Sequence, residues 1–96
     1  MNESILKSIK KAIGLDPDSS DFDDDLVIFI NSAFFNLRQL GVGPSEGYSI
    51  TGIEDTWSEF TDDDQLLTGV KPYIDQKVRL QFDRATNSFN ELSIRK

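Results

Sequence analysis

From Phe22 to Leu40 the sequence places apolar side chains at helical spacing, and this run constrains the fold more than any other. Phe22, Leu26, Phe29, Ile30, Ala33, Leu37 and Leu40 share one broad face at about 100° per residue, with Val27 and Phe34 on its edge. Ser20 or Asp21 can cap the helix. Asp23, Asp24 and Asp25 crowd its first turn, where the helix dipole favours anions. Gly41 ends it, and Val42 supplies the apolar residue that commonly follows a glycine stop. Two residues break the pattern. Ile28 and Phe35 fall on the opposite side, among Asn31, Ser32 and Gln39. Apolar side chains there are covered either by a second layer of the same chain or by a partner. In a chain of 96 residues a helix is not easily covered on every side.

The remaining segments read as shorter helical pieces around this one. In ESILKSIKKAIG, Ile5, Ile9 and Ile13 recur every fourth residue beside Leu6. Gly14 is a natural stop, with Leu15 to pack after it and Pro17 to forbid continuation. GPSEGYSITG is loop chemistry, and YSITGI alternates as a short strand does. EDTWSEF predicts about one helical turn capped by Asp55 or Thr56, turning Trp57 and Phe60 inward. DDDQLLTGVKPYIDQKVRLQF predicts a third long element, with Leu66, Leu67, Val70, Tyr73, Ile74, Val78 and Leu80 in a wide apolar arc. It is one element, either kinked at Pro72, which breaks the hydrogen-bond ladder, or interrupted at Thr68-Gly69 and restarted near Lys71. ATNSFNELSIRK predicts a short closing helix capped by Asn87 or Ser88, with Phe89 and Leu92 toward the core. The expectation is a single all-α domain over residues 1–96. It is a small bundle of three to four helices, with a Gly/Pro-containing loop able to form a short β-hairpin or edge strand.

Composition removes several classes of function. Neither cysteine nor histidine is present, which takes away thiol chemistry and the commonest general base and metal ligand. No run approaches the roughly 18 apolar residues of a membrane span, and the N-terminal stretch lacks the basic-then-apolar order of a signal peptide. The expected compartment is a reducing cytoplasm, or a particle assembled there. The net charge of −7 is unevenly spread. Residues 1–15 carry +2, residues 16–70 set thirteen acids against Arg38 alone, and residues 71–96 carry +3. Such a chain attracts copies of itself end to middle, while its centre repels phosphate.

Apparent sites dissolve on inspection. DPDSSDFDDD places Asp16, Asp18 and Ser20 like the start of a calcium loop, but holds Asp21 where the turn glycine belongs and Val27 where the bidentate glutamate belongs. Asp62, Asp63 and Asp64 are adjacent carboxylates that point apart and suit a capping turn. GVGPSEG follows a helix and lacks the Lys and Ser/Thr of a phosphate loop. Lys77 falls within the apolar arc of the third element, where its stem lies along the surface and its ammonium reaches water or an acid. No catalytic residue, cofactor or metal is expected.

The order of pieces nevertheless resembles a known family. INSAFFNLRQLGVGPSEGYSITG, then DTWSEF, then VKPYIDQKVRLQFD is similar to the small head–tail connector proteins of tailed bacteriophages and prophages, also described as DNA-packaging or head-completion adaptors. The likeness runs from residue 1 to about residue 90. Where similar proteins follow the Phe-Asp step with paired prolines and a longer helix, this chain has Arg84-Ala85-Thr86. The resemblance implies a non-enzymatic, all-α subunit of a ring, dodecameric to match the portal, that docks beneath the portal protein. The ring extends the DNA channel and offers a platform to the next neck or tail protein. DNA passes without specific binding, and no membrane is involved. The subunit is expected in the virion neck, assembled in the host bacterial cytoplasm. On that reading Ile28, Phe35, Tyr48, Ile50 and Trp57 are the candidate subunit-interface residues, and Asp23, Asp24 and Asp25 the candidate channel-lining acids. The rival reading is an acidic regulatory or DNA-mimic protein that binds a basic partner, drawn from the acidic central stretch.

Overall fold

The computed structural model describes residues 3–94, with side chains through Ala85. Four helices form an all-α bundle: α1 (Ile5–Ala12), α2 (Asp23–Gln39), α3 (Trp57–Phe60) and α4 (Asp64–Ile94). Both glycine stops close as their sequences predict. After α1, Leu15 N–H donates to the Lys10 carbonyl at 2.8 Å and Gly14 N–H to that of Lys11 at 3.2 Å, with Gly14 at φ 88°. After α2, Val42 N–H donates to the Leu37 carbonyl at 2.8 Å and Gly41 N–H to that of Arg38 at 2.9 Å, with Gly41 at φ 80°. Each pair satisfies carbonyls that the helix end would otherwise leave unpaired.

The start of α2 differs from expectation. Its N-cap is Phe22, which gives no side-chain cap, and Ser20 and Asp21 lie upstream of the helix. The three aspartates of the first turn supply the dipole match instead.

The larger difference is α4. It is one helix of 31 residues that runs through Pro72 and on to Ile94, with no restart at Thr68-Gly69 and no separate closing helix. Pro72 removes one backbone donor, that of the bond to the Thr68 carbonyl. Thr68, Gly69 and Pro72 all lie on the exposed side, so the freed carbonyl reaches water. The buried side continues unbroken through Leu67, Val70, Ile74 and Val78. At about 1.5 Å per residue the helix is about 46 Å long, and it sets the 49 Å length of the molecule. The inward roles expected of Phe89 and Leu92 fall outside the described side chains. At the start of α4, Asp63 Oδ1 accepts from the N–H groups of Gln65 at 3.0 Å and Leu66 at 3.2 Å, the capping turn read for that aspartate run.

The core lies where α1, α2 and α4 meet: Ile5, Leu6 and Ile9 against Leu26, Ile30 and Ala33, and both against the buried side of α4. Phe34, placed on the edge by periodicity, is buried, while Phe22 and Leu40 at the ends of α2 are exposed. Phe22 is reached by Phe82, edge to face at a centroid distance of 5.2 Å, which seats the middle of α4 against the start of α2.

The segment between α2 and α3 forms no hairpin. Among the described residues the only β-type pairing is an isolated bridge between Ser4 and Thr56. Ile5 N–H donates to the Asp55 carbonyl at 3.0 Å, and Trp57 N–H to the Glu3 carbonyl at 3.1 Å. Residues 48–53 are instead spent on side-chain clamps. Asn31 receives Ile50 N–H on Oδ1 at 2.7 Å and donates from Nδ2 to the Ile50 carbonyl at 2.9 Å. That pair does for Ile50 what a neighbouring strand would have done.

Gly43 stands at φ 90°, and a Cβ there would meet Phe60 Cε1 at 2.7 Å. Gly43→Ala is therefore expected to cost about 1–3 kcal/mol, read as a lower denaturant midpoint at unchanged m.

Asp55 ties the turn before α3. Its Oδ2 accepts from Thr51 N–H at 2.7 Å and Gly52 N–H at 3.1 Å. The Thr51 amide chiefly, against the opposing effect of burial, and then the Gly52 amide and Thr51 hydroxyl hold this carboxyl below its ordinary value of 3.8. The stability it contributes is present above that ordinary value and is lost as pH falls through the lower folded value. Asp55→Asn is expected to remove this part of the acid-range loss, seen as a shallower dependence of the unfolding midpoint on pH below about pH 4.

Candidate assembly interface

The outer side of α2 is a helical face whose chemistry conflicts with its exposure. Its inner side is set by Leu26, Ile30, Ala33 and Leu37, all buried. Ile28 and Phe35 lie diametrically opposite at helical spacing, 63% and 56% exposed. No second layer among the described residues covers them. Asp24, one turn before Ile28, is exposed on the same stripe, and Asp25 is exposed beside it. Phe35 also borders a shallow recess of about 290 Å³, lined further by Asn31, Arg38, Glu46 and Tyr48. Arg38 is committed there, donating from Nε to the Ser45 carbonyl at 3.2 Å.

The other interface candidates are placed differently. Trp57 is 1% exposed, so it is a core residue and not a subunit contact. Its indole N–H donates to Ser8 Oγ at 2.9 Å, and Lys71 Nζ lies over its ring, 5.4 Å from the centroid. Ile50 is likewise buried, held down by the Asn31 clamp. Tyr48 is half-buried. Its ring packs edge to face on Phe34 at 5.1 Å and on Phe60 at 5.5 Å. Its hydroxyl is enclosed without a hydrogen-bond partner among the described residues. Burial, then the nearby charges of Asp55 and Glu59, pushes that phenol up to about 12. The physical reason for all three is the same. The 43–60 segment folds back onto α2 and α1, using its aromatics internally.

The acids divide too. Asp23 turns inward to Lys10, whose ammonium lies 2.5 Å from its Oδ1 and donates to the Ser19 carbonyl at 2.6 Å. Lys10 is 2% exposed, the enclosed lysine among the described residues. Lys77 is exposed, its ammonium 5.5 Å from the Tyr73 ring centroid. Asp24 and Asp25 remain at the surface.

Sequence reasoning also missed Leu80, which it placed in the apolar arc of the third element and which is 49% exposed. The signal was present: Leu80 lies two residues from Val78, on the far side of the buried stripe, between exposed Lys77 and Arg84.

A family model described as phage connector protein matches residues 5–96, nearly the whole chain. The chain belongs to this phage connector family. Neither curated proteins nor solved structures gave a match. The connector family is structural rather than enzymatic, so an exposed apolar face on a member is to be read in terms of assembly partners. Among the described residues, no helix of the connector is long and apolar enough to cross a membrane.

Proposed function

We propose that this connector is an adaptor subunit of the phage neck. Copies form a ring beneath the portal, dodecameric to match it, that extends the DNA channel and joins the head to the next neck or tail protein. The supporting observation is the uncovered apolar pair, Ile28 and Phe35, on the side of α2 opposite the core. Exposed side chains of that size on a rigid helix cost solubility unless a partner covers them. A ring is a closed heterologous assembly in which each copy offers one face to the next, so a subunit of this kind carries two unlike surfaces. The acidic central stretch, thirteen acids against Arg38 between residues 16 and 70, suits a passage through which DNA slides without adhering.

The test is negative-stain microscopy of the protein with its portal. The expected result is a collar added to the portal, with the portal's symmetry. Failure to join rings or portals under any condition contradicts the proposal. Binding to a basic nucleic-acid-handling protein instead, lost at moderate salt, would favour an acidic regulatory module.

A further inference from the structure

α4 carries a second exposed stripe. Tyr73, Leu80 and Arg84 recur at spacings of seven and four residues on one side of the helix, with Lys77 between them. Leu80 is 49% exposed, Lys77 and Arg84 are exposed, and Tyr73 is half-buried. On α2, Asp24, Ile28 and Phe35 recur at spacings of four and seven. Taken in opposite chain directions the two stripes match position by position: Asp24 with Arg84, Ile28 with Leu80, Phe35 with Tyr73. One is acidic at its start, with Asp25 beside Asp24, and the other is basic at its end, with Lys77 adding a second cation.

Resting on the connector reading, we propose that the outer stripe of α2 on one copy packs antiparallel against the Tyr73–Leu80–Arg84 stripe of α4 on the next. Within one chain the two cannot meet, because α2 presents Ile28 away from the core to which it holds α4. The contact is therefore heterologous. It repeats from copy to copy and closes if the rotation allows. Apolar pairs at Ile28 and Phe35 supply the covered area, and the Asp24–Arg84 pair fixes register and direction. This assigns Asp24 and Asp25 to the neighbouring subunit rather than to the channel wall.

The chain has no cysteine, so introduced thiols report contact without background. Both Ile28 and Leu80 are exposed, and substitution there leaves the core intact. The variant carrying Ile28→Cys and Leu80→Cys is assembled on its portal and oxidised. A ladder of disulfide-linked oligomers is expected, absent from either single variant. Dimers from a single variant would show like meeting like and overturn the pairing. Rings that form without crosslinks overturn the pairing and leave the connector reading standing. A wild-type protein that joins no ring or portal overturns both. As a second measurement, Asp24→Lys and Arg84→Glu are each expected to lower the fraction of portals carrying a collar about tenfold, and together in one chain to restore it. Absence of rescue, with helical content unchanged in all variants, contradicts the register.

Discussion

Replacing Trp57 by alanine is expected to lower the unfolding free energy by about 3–5 kcal/mol, the range for emptying a large aromatic site in a core. The residue sits where three parts of the chain are tied together. Its backbone N–H reaches the Glu3 carbonyl, its indole N–H reaches Ser8 on α1, and its ring lies 6.4 Å from that of Phe34 on α2. Alanine removes the ring contacts and the Ser8 bond together, and the four-residue α3 is too short to collapse into the space. Domains of this size have only about 5–15 kcal/mol in total, so the variant is expected to be partly unfolded at moderate temperature. Trp57→Phe keeps most of the volume and is expected to cost less, chiefly the lost indole bond at about 1 kcal/mol plus imperfect packing. Because Trp57 is the only tryptophan, denaturant unfolding is followed by far-UV circular dichroism.

Breaking the Lys10–Asp23 pair is expected to be nearly as damaging, and unequal from its two sides. Lys10 is almost fully enclosed, whereas the Asp23 side chain is 25% exposed. Asp23→Ala leaves an ammonium inside the protein with carbonyl partners alone, and the expected loss is about 3–5 kcal/mol. Lys10→Met leaves a carboxylate that can turn toward water and a thioether stem that fills the same space, so its expected loss is about 1–3 kcal/mol. A double variant, Lys10→Met with Asp23→Ala, is expected to be no worse than Asp23→Ala alone, because the enclosed charge has gone with its partner. Chemical denaturation of the three variants measures the order. Equal single losses would contradict the placement of Lys10. The pair closes the acidic turn onto α1 and so fixes the angle at which α2 enters the bundle.

Much of the fold was legible because it rests on local rules. Gly14 and Gly41 stop their helices where sequence put the stops, Thr56 precedes α3, and Trp57 and Phe60 turn inward. What was not legible depends on which side of an element meets solvent. Pro72 predicts a break, yet its missing bond falls on the wet side of α4 and the helix continues. YSITGI alternates like a strand, but Asn31, on the outer side of α2 near Phe35, reaches across to satisfy Ile50. Lysines at neighbouring positions look alike in sequence, and only the return of the 16–23 turn decides that Lys10 is enclosed. Ile28 and Phe35 were legible as misfits because their conflict is with periodicity itself. The inward place of Ile50 came from long-range folding of the 43–60 segment, which no spacing records.

The central claim is that Ile28 and Phe35 serve contacts between molecules and nothing within one. Changing both to serine and measuring unfolding free energy alongside collar formation on the portal tests it directly. Stability is expected to stay within about 0.5 kcal/mol of the parent while collars disappear. A loss of about 2 kcal/mol or more in stability, or collars as frequent as with the parent protein, would contradict it.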